Sequence, residues 1–255
     1  MALLSPDFED IVAILSLFFS ITAILLALPQ VRNILSYLWL RIKIRDIFII
    51  LGPKRAGKTS LIGFLRLTGV PESYEHTFNW KTYGPLTFDI GENQTHFLYS
   101  KKLVDIGGER KAEYELLIKN ENPKGIIFVV DNTIVKEGQT ITDRHNEEIS
   151  DFERIYSVYN GLDWKPNKIR LKTILILINK ADLWDEHSET KRDSTKDHYK
   201  TLFGPTLAKF SNEFGDRVEF IFEYVELGRK FHYGDENNDA LLKFARSMTR
   251  EIEVR

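Results

Sequence analysis

Cysteine is absent from this 255-residue chain, which removes disulfide scaffolds, thiolate zinc sites and cysteine nucleophiles from consideration. A dominant charge sign is also lacking. The 35 Lys and Arg against 37 Asp and Glu leave a formal net charge of -2, which excludes a chain that is basic overall and wraps nucleic acid. With 15 Gly and 8 Pro, collagen-like and low-complexity architectures are excluded too. No internal repeat is present. At 43% hydrophobic residues, the length suits one α/β domain and a modest appendage, with a core that needs no staple.

Charge is missing altogether from Ile11 to Leu28, where only Ser16, Ser20 and Thr22 interrupt the apolar run. That is at the short end of what spans a hydrocarbon core of ~30 Å at 1.5 Å per residue. The hydroxyls are tolerable because each can bond back to the carbonyl one turn earlier. A signal peptide requires a positive start and a small-residue cleavage site. Here the start carries Asp7, Glu9 and Asp10, and the run ends Leu26-Ala27-Leu28-Pro29. A buried core helix normally shows a polar face, and this run has none. Residues 11–28 therefore read as a transmembrane helix after a short extracytoplasmic N-terminus, residues 1–10. Arg32, Arg41, Lys43 and Arg45 follow the span and no Lys or Arg precedes it, so the bulk of the chain is expected in the cytoplasm. Residues 29–45 form a basic juxtamembrane segment, with Val31, Ile34, Leu35, Leu38 and Ile42 at helical spacing and Tyr37 and Trp39 as interfacial aromatics. Contact with membrane lipid is thus expected through residues 11–45. The alternative for the second part is a linker helix packed on the following domain.

From residue 46 to 255 strands alternate with helices. Apolar strands are expected at Ile47–Leu51, Gly125–Asp131, Leu171–Ile178 and Arg217–Val225, and helices near 58–68, 111–121, 140–160, 195–213 and 237–253. Two less apolar strands, about 82–90 and 94–105, flank Gly91-Glu92-Asn93 and read as a hairpin. The mixed-charge stretch 184–200 reads as a solvated loop and helix start. The pattern predicts an α/β fold with a mostly parallel, six-stranded sheet covered on both faces, a three-layer arrangement. Phosphate ligands bind such sheets at the carboxyl ends of the strands.

The chemistry starts where the first strand ends. Gly52-Pro53-Lys54-Arg55-Ala56-Gly57-Lys58-Thr59 satisfies G-x-x-x-x-G-K-[ST] between a strand and a helix. Backbone amides of such a loop, with the helix N-terminus, cradle phosphate oxygens. Lys58 would reach the β- and γ-phosphates, and the Thr59 hydroxyl would ligate Mg2+. Gly52, Lys54, Arg55, Ala56, Gly57 and Ser60 complete the lining of this phosphate site.

With Asn179-Lys180-Ala181-Asp182 after a second apolar strand, residues 46–253 resemble the translation-factor and Ras-like class of P-loop GTPases, whose guanine motif is N-K-x-D. The resemblance implies that Asp182 accepts from the ring N–H and exocyclic amine of guanine, a donor pair that adenine does not offer. Lys180 would cover the base face, and Asn179 would tie the motif to the phosphate loop. Asp105-Ile106-Gly107-Gly108 matches the family's D-x-x-G. By the same resemblance Asp105 holds the Mg2+ shell and the Gly108 amide senses the γ-phosphate. This spelling is similar to the Arf and heterotrimeric α-subunit branch, which reads D-x-G-G-Q. Thr77 stands about where the family's switch I Thr binds Mg2+ and γ-phosphate, with Thr82 as competitor. The guanine-side S-A-K loop is missing, and Glu226-Leu227-Gly228 is its replacement, with Leu227 against the base.

The departures bear on mechanism. Glu109 occupies the position of the family's water-positioning Gln. A carboxylate can orient water but brings negative charge towards an anionic γ-phosphate. Lys54 stands where Ras-like proteins keep Gly. Either Lys54 or Arg55 is a candidate internal arginine-finger equivalent, the alternative being that both face solvent. Tyr74 replaces the α-subunit branch's cis Arg. GTP/GDP and Mg2+ are the expected cofactors, with slow hydrolysis and an unidentified protein effector or regulator on the switch face. Two function classes follow: a membrane-anchored small GTPase acting as a nucleotide-dependent switch, or a GTP-bound membrane anchor and scaffold. The second has a layout similar to that of the signal-recognition-particle receptor β subunit, one N-terminal span and then a Ras-like domain.

Overall fold

Alternation within apolar strands decides the architecture of the chain, described here from a computed structural model. The structure describes residues 15–17, 19–20, 47–65, 81–83, 86–89, 97–100, 103–105, 113–131, 133, 138, 140–162, 169–180, 189–225 and 235–249. Strand β1 (Phe48–Leu51) leads into helix α1 (Lys58–Leu65), and the short strands β2 (Lys81–Tyr83), β3 (Leu86–Asp89), β4 (Phe97–Ser100) and β5 (Leu103–Asp105) follow. Helix α2 (Glu113–Glu121), strand β6 (Gly125–Asp131), helix α3 (Ile141–Asn160) and strand β7 (Thr173–Asn179) come next. Helix α4 (Glu189–Phe214), strand β8 (Glu219–Tyr224) and helix α5 (Asp235–Thr249) complete the order.

The side chains of β1, β6 and β7 are buried on both faces, as near-continuous apolar runs in a parallel sheet should be. Successive side chains point to opposite faces, and the core divides accordingly. Ile49, Leu51, Ile126, Phe128, Ile174 and Ile176 meet α2, α3 and α4 through residues such as Leu117, Phe152 and Phe203. Phe48, Ile50, Ile127, Val129, Leu175 and Leu177 meet α1 and α5 through Leu61, Ile62, Leu241 and Phe244. The result is an α/β layered fold of the kind P-loop GTPases use. Strands β1, β6, β7 and β8 form its parallel body. The full hydrogen-bonded order is β2-β5-β1-β6-β7-β8.

The expected hairpin over 82–90 and 94–105 is present: Leu86–Asp89 pairs antiparallel with Phe97–Ser100, and Lys81–Tyr83 pairs antiparallel with Leu103–Asp105 in the same register. β3 and β4 form the turn end of this hairpin, and β2 and β5 carry it into the main sheet, where β5 also pairs with β1. Thr82 is a ladder residue opposite Val104. Helix α4 starts at Glu189, six residues before the expected 195, so part of the stretch read as loop is a solvated helix face. Lys200 Nζ pairs within the helix with Asp197 Oδ1 at 2.9 Å, while Lys196 Nζ reaches Glu223 Oε2 on β8 at 2.7 Å.

The chain divides into two compact units, 1–44 and 45–255. In the first, the described residues are helical and expose Leu15, Leu17 and Phe19. Ser20 Oγ donates to the Ser16 carbonyl at 2.8 Å, the back-bond that lets a hydroxyl sit in an apolar helix. Among the described residues no helix is long and apolar enough to cross a membrane. Most of the segment 11–28, and all of 29–45, lies outside the described residues.

Candidate nucleotide-binding site

Parallel register brings the motifs to one edge of the sheet. Ile50 pairs with Asp105, Leu51 with Phe128, and Asp131 with Asn179. The phosphate loop, Asp105 and the Asn179-Lys180 motif therefore leave neighbouring strands at their carboxyl ends, where α/β sheets bind ligands.

Within the loop, two glycines are required by space as well as by conformation. Gly52 has φ +137°, and a Cβ there would lie 2.2 Å from the carbonyl oxygen of Val129. Gly57 has φ +102°, and its Cβ would lie 2.0 Å from Asn179 Nδ2. Arg55 takes the left-handed conformation at φ 62°, as does Lys180 at φ 62°, a costly conformation for residues with side chains that concentrates at functional sites. Lys58, only 6% exposed, donates from Nζ to the carbonyls of Gly52 at 2.8 Å and Pro53 at 2.7 Å. Its ammonium is thus held across the loop whose phosphates it would serve. Ala56 is buried, Gly57, Thr59 and Ser60 are half-buried, and Arg55 is exposed.

Asn179 Nδ2 donates to the Ala56 carbonyl at 2.9 Å. This bond joins the base-side motif directly to the phosphate loop. Lys180 Nζ pairs with Asp131 Oδ2 at 2.5 Å, and Asp131 is fully buried at the end of β6. The donor set fits a nucleotide phosphate chain: a loop closed by glycines, a buried ammonium and the start of α1. The half-buried Thr59 at the start of α1 carries a hydroxyl, a hard oxygen of the kind Mg2+ takes. Thr77, Gly108, Glu109, Asp182 and Leu227 lie outside the described residues.

A buried polar network behind the loop is absent from the motif reading. Arg144 on α3 is fully buried. Its Nη1 donates to the Lys54 carbonyl at 2.9 Å, and its Nε lies 3.3 Å from Glu148 Oε1. Glu148 Oε1 accepts from the Asp131 N–H at 2.8 Å, and Oε2 accepts from Tyr199 Oη at 3.1 Å. Tyr114 on α2 is also fully buried. Its hydroxyl donates to the Gly52 carbonyl at 3.0 Å and accepts from the Gly52 N–H at 3.2 Å. A signal for the α3 members existed. The apolar stripe Phe152, Ile155, Val158, Tyr159, continued backwards by three or four residues, lands on Glu148 and Arg144. Charges at buried-face spacing mark a paired polar cluster rather than a solvated face.

Burial pushes the Glu148 carboxyl up to about 8, against the pull of Arg144, the Asp131 N–H and Tyr199. The folded state therefore holds a proton on Glu148 that the unfolded chain, with an ordinary carboxyl near 4.5, has released. Stability from this group is fullest below the unfolded value and falls as pH rises towards about 8. Glu148→Gln is expected to flatten that decline, and urea melts at several pH values between 5 and 8.5 check it. An unchanged slope would contradict the assignment.

The family described as "Signal recognition particle receptor beta subunit" matches residues 43–196. The match begins just before β1 and runs into α4, so it contains the phosphate loop, Asp105-x-x-Gly108 and Asn179-Lys180-x-Asp182. No curated protein matches the chain. GTPases of this kind bind guanine nucleotide and interact with protein partners. With the matched segment covering more than half of the 255 residues and carrying these three motifs, the chain belongs to the signal recognition particle receptor beta subunit family of Arf-like small GTPases.

Proposed function

We propose that this protein is a membrane-anchored GTP-binding switch with slow hydrolysis of its own that a protein partner accelerates. The observation that carries the reading is the 2.9 Å bond from Asn179 to the Ala56 carbonyl. It ties the start of the N-K-x-D segment to the phosphate loop, which supports a site where base and phosphates are read together. In this reading Asp182 accepts from the guanine edge, Leu227 lies against the base, and Lys58 holds the β- and γ-phosphates. Thr59, Thr77 and Asp105 would hold Mg2+, which supplies charge neutralisation between the phosphates when bound. Residues 11–28 anchor the chain in the bilayer and residues 29–45 lie at its basic surface, leaving residues 46–255 in the cytoplasm.

The unit 45–255 has its own two-sided core, so residues 46–255 alone should fold and bind. Titration of this fragment is expected to show GTP and GDP binding with ATP at least about 100-fold weaker, because a site built for a donor pair rejects a base lacking it. Asp182→Asn is expected to shift preference to xanthosine nucleotides, whose edge presents a carbonyl. Equal affinity for ATP and GTP would remove the guanine assignment. Protease added to intact cells expressing the full chain should leave residues 46–255 uncut; their complete digestion would remove the topology.

A second reading is favoured by the matched family's description, which names a receptor subunit. Here the nucleotide is a standing structural element, and recruitment of a receptor partner to the membrane is the task. Glu109 in place of a water-positioning Gln agrees with it. The nucleotide carried through purification separates the two: trapped GTP supports the scaffold, and exchangeable GDP supports the switch.

A further inference from the structure

Tyr114 contacts the phosphate loop from an element that the nucleotide motifs do not include. Leu117 and Ile118 already bury the inner face of α2, while Leu116 on the same helix is 54% exposed. Packing alone therefore asks only for an apolar ring at position 114. The hydroxyl does something further: it engages both the N–H and the carbonyl of Gly52. Gly52 is where the chain leaves β1, and the carbonyl oxygen of Val129 leaves it no room for a side chain. The same Gly52 carbonyl accepts from Lys58 Nζ at 2.8 Å.

One carbonyl is thus shared between the ammonium that serves phosphate and the helix that follows Asp105-x-x-Gly108 in sequence. If Lys58 turns from the loop carbonyls to phosphate oxygens, the Tyr114 hydroxyl is the donor that keeps the Gly52 carbonyl satisfied. That offsets the cost of leaving a buried acceptor bare. Burial raises the Tyr114 hydroxyl far above the usual phenol range, so it stays protonated and able to donate at any working pH. Any displacement of α2 changes the geometry of this two-way bond.

Resting on the guanine-nucleotide reading above, we propose that Tyr114 is a positioning residue that couples α2 to the phosphate loop and sets part of the discrimination between tri- and diphosphate nucleotide. The test uses the full chain, with GTPγS and GDP affinities measured by displacement of a fluorescent nucleotide. Tyr114→Phe keeps the ring and deletes the hydroxyl; Leu116→Ser controls for a change elsewhere on α2. Tyr114→Phe is expected to change the ratio of GDP to GTPγS dissociation constants by about 3–10-fold, the scale of one buried hydrogen bond, while Leu116→Ser leaves it unchanged. Equal weakening of both nucleotides, as from a merely structural bond, or no change at all, overturns the proposal. Should Tyr114→Phe fail to fold, hydrogen exchange on the wild-type chain decides. Residues 113–121 and 48–53 are expected to exchange differently in GTPγS and in GDP, and identical exchange overturns the coupling. A wild-type chain that binds neither nucleotide defeats the guanine-nucleotide reading itself, whereas binding with an unmoved ratio defeats this inference alone.

Discussion

Gly52→Ala is expected to unfold most of the molecule's margin, and Gly57→Ala to abolish nucleotide binding while leaving much of the fold. Both positions have positive φ, +137° and +102°, where an added Cβ is strained whatever the space. The difference lies in what the new methyl meets. At Gly52 it meets the main-chain oxygen of Val129 at 2.2 Å, in a strand buried on both faces. Nothing there can swing aside, so β1 and β6 must separate. The cost is about 3–5 kcal/mol, combining backbone strain and overpacking, against a usual total of 5–15 kcal/mol. At Gly57 the methyl meets Asn179 Nδ2 at 2.0 Å, a side-chain atom that also makes the bond to Ala56. Asn179 can rotate away, but only by releasing the tie between the base-side motif and the phosphate loop. Chemical denaturation and nucleotide titration of the two variants check the contrast. A Gly57→Ala protein with wild-type GTP affinity would show that the tie does not matter.

Single-turnover GTP hydrolysis by the chain alone is expected on a scale of minutes or longer. Catalysis of this reaction comes from a positioned water and cationic charge, and an absent arginine finger is worth ~10³–10⁵ in rate. Glu109 takes the place of the expected amide, and Tyr74 the place of the α-subunit branch's Arg. If Glu109 only impairs the site, Glu109→Gln accelerates hydrolysis; if it is an adapted holder of water, the same change slows it. Lys54 and Arg55 are the local cations. Arg144 holds Lys54 through its backbone carbonyl at 2.9 Å, so Lys54→Ala deletes the ammonium without deleting that bond. An internal finger at Lys54 or Arg55 would show as a large loss of rate in the Ala variant with GTP affinity barely moved. Fast turnover, unchanged by all three substitutions, would overturn this account of the site.

The family match bears on which likeness in the sequence carried most. The D-x-G-G spelling is similar to the Arf branch, and the layout is similar to the receptor β subunit. The match over residues 43–196 is to the receptor beta subunit family of Arf-like GTPases and takes in the motifs but not the apolar run 11–28. The layout, one apolar N-terminal run followed by a GTPase domain, is a coarse feature, whereas the motifs are dense in information because phosphate and guanine chemistry tolerate few residue types.

What the sequence determined by itself is what depends on near neighbours along the chain. The strand–loop–helix at 47–65 is legible because an apolar run, two glycines and a helix start lie within one short segment. The two-sided core is legible because β1, β6 and β7 lack any polar alternation, which only a sheet covered on both faces accommodates. Tertiary structure decided the rest. That the hairpin of 82–105 joins the main sheet through β5 beside β1 depended on which neighbour that short strand found, and local pattern carries no such information. Tyr114 reads as one more apolar position until Gly52, far away in sequence, is placed beside its hydroxyl. Helical spacing puts Arg144 on the buried face of α3, but only the fold sets it under the Lys54 carbonyl and beside Glu148. A buried charge is tolerable only with partners in place, and those partners come from separate elements that the sheet alone brings together.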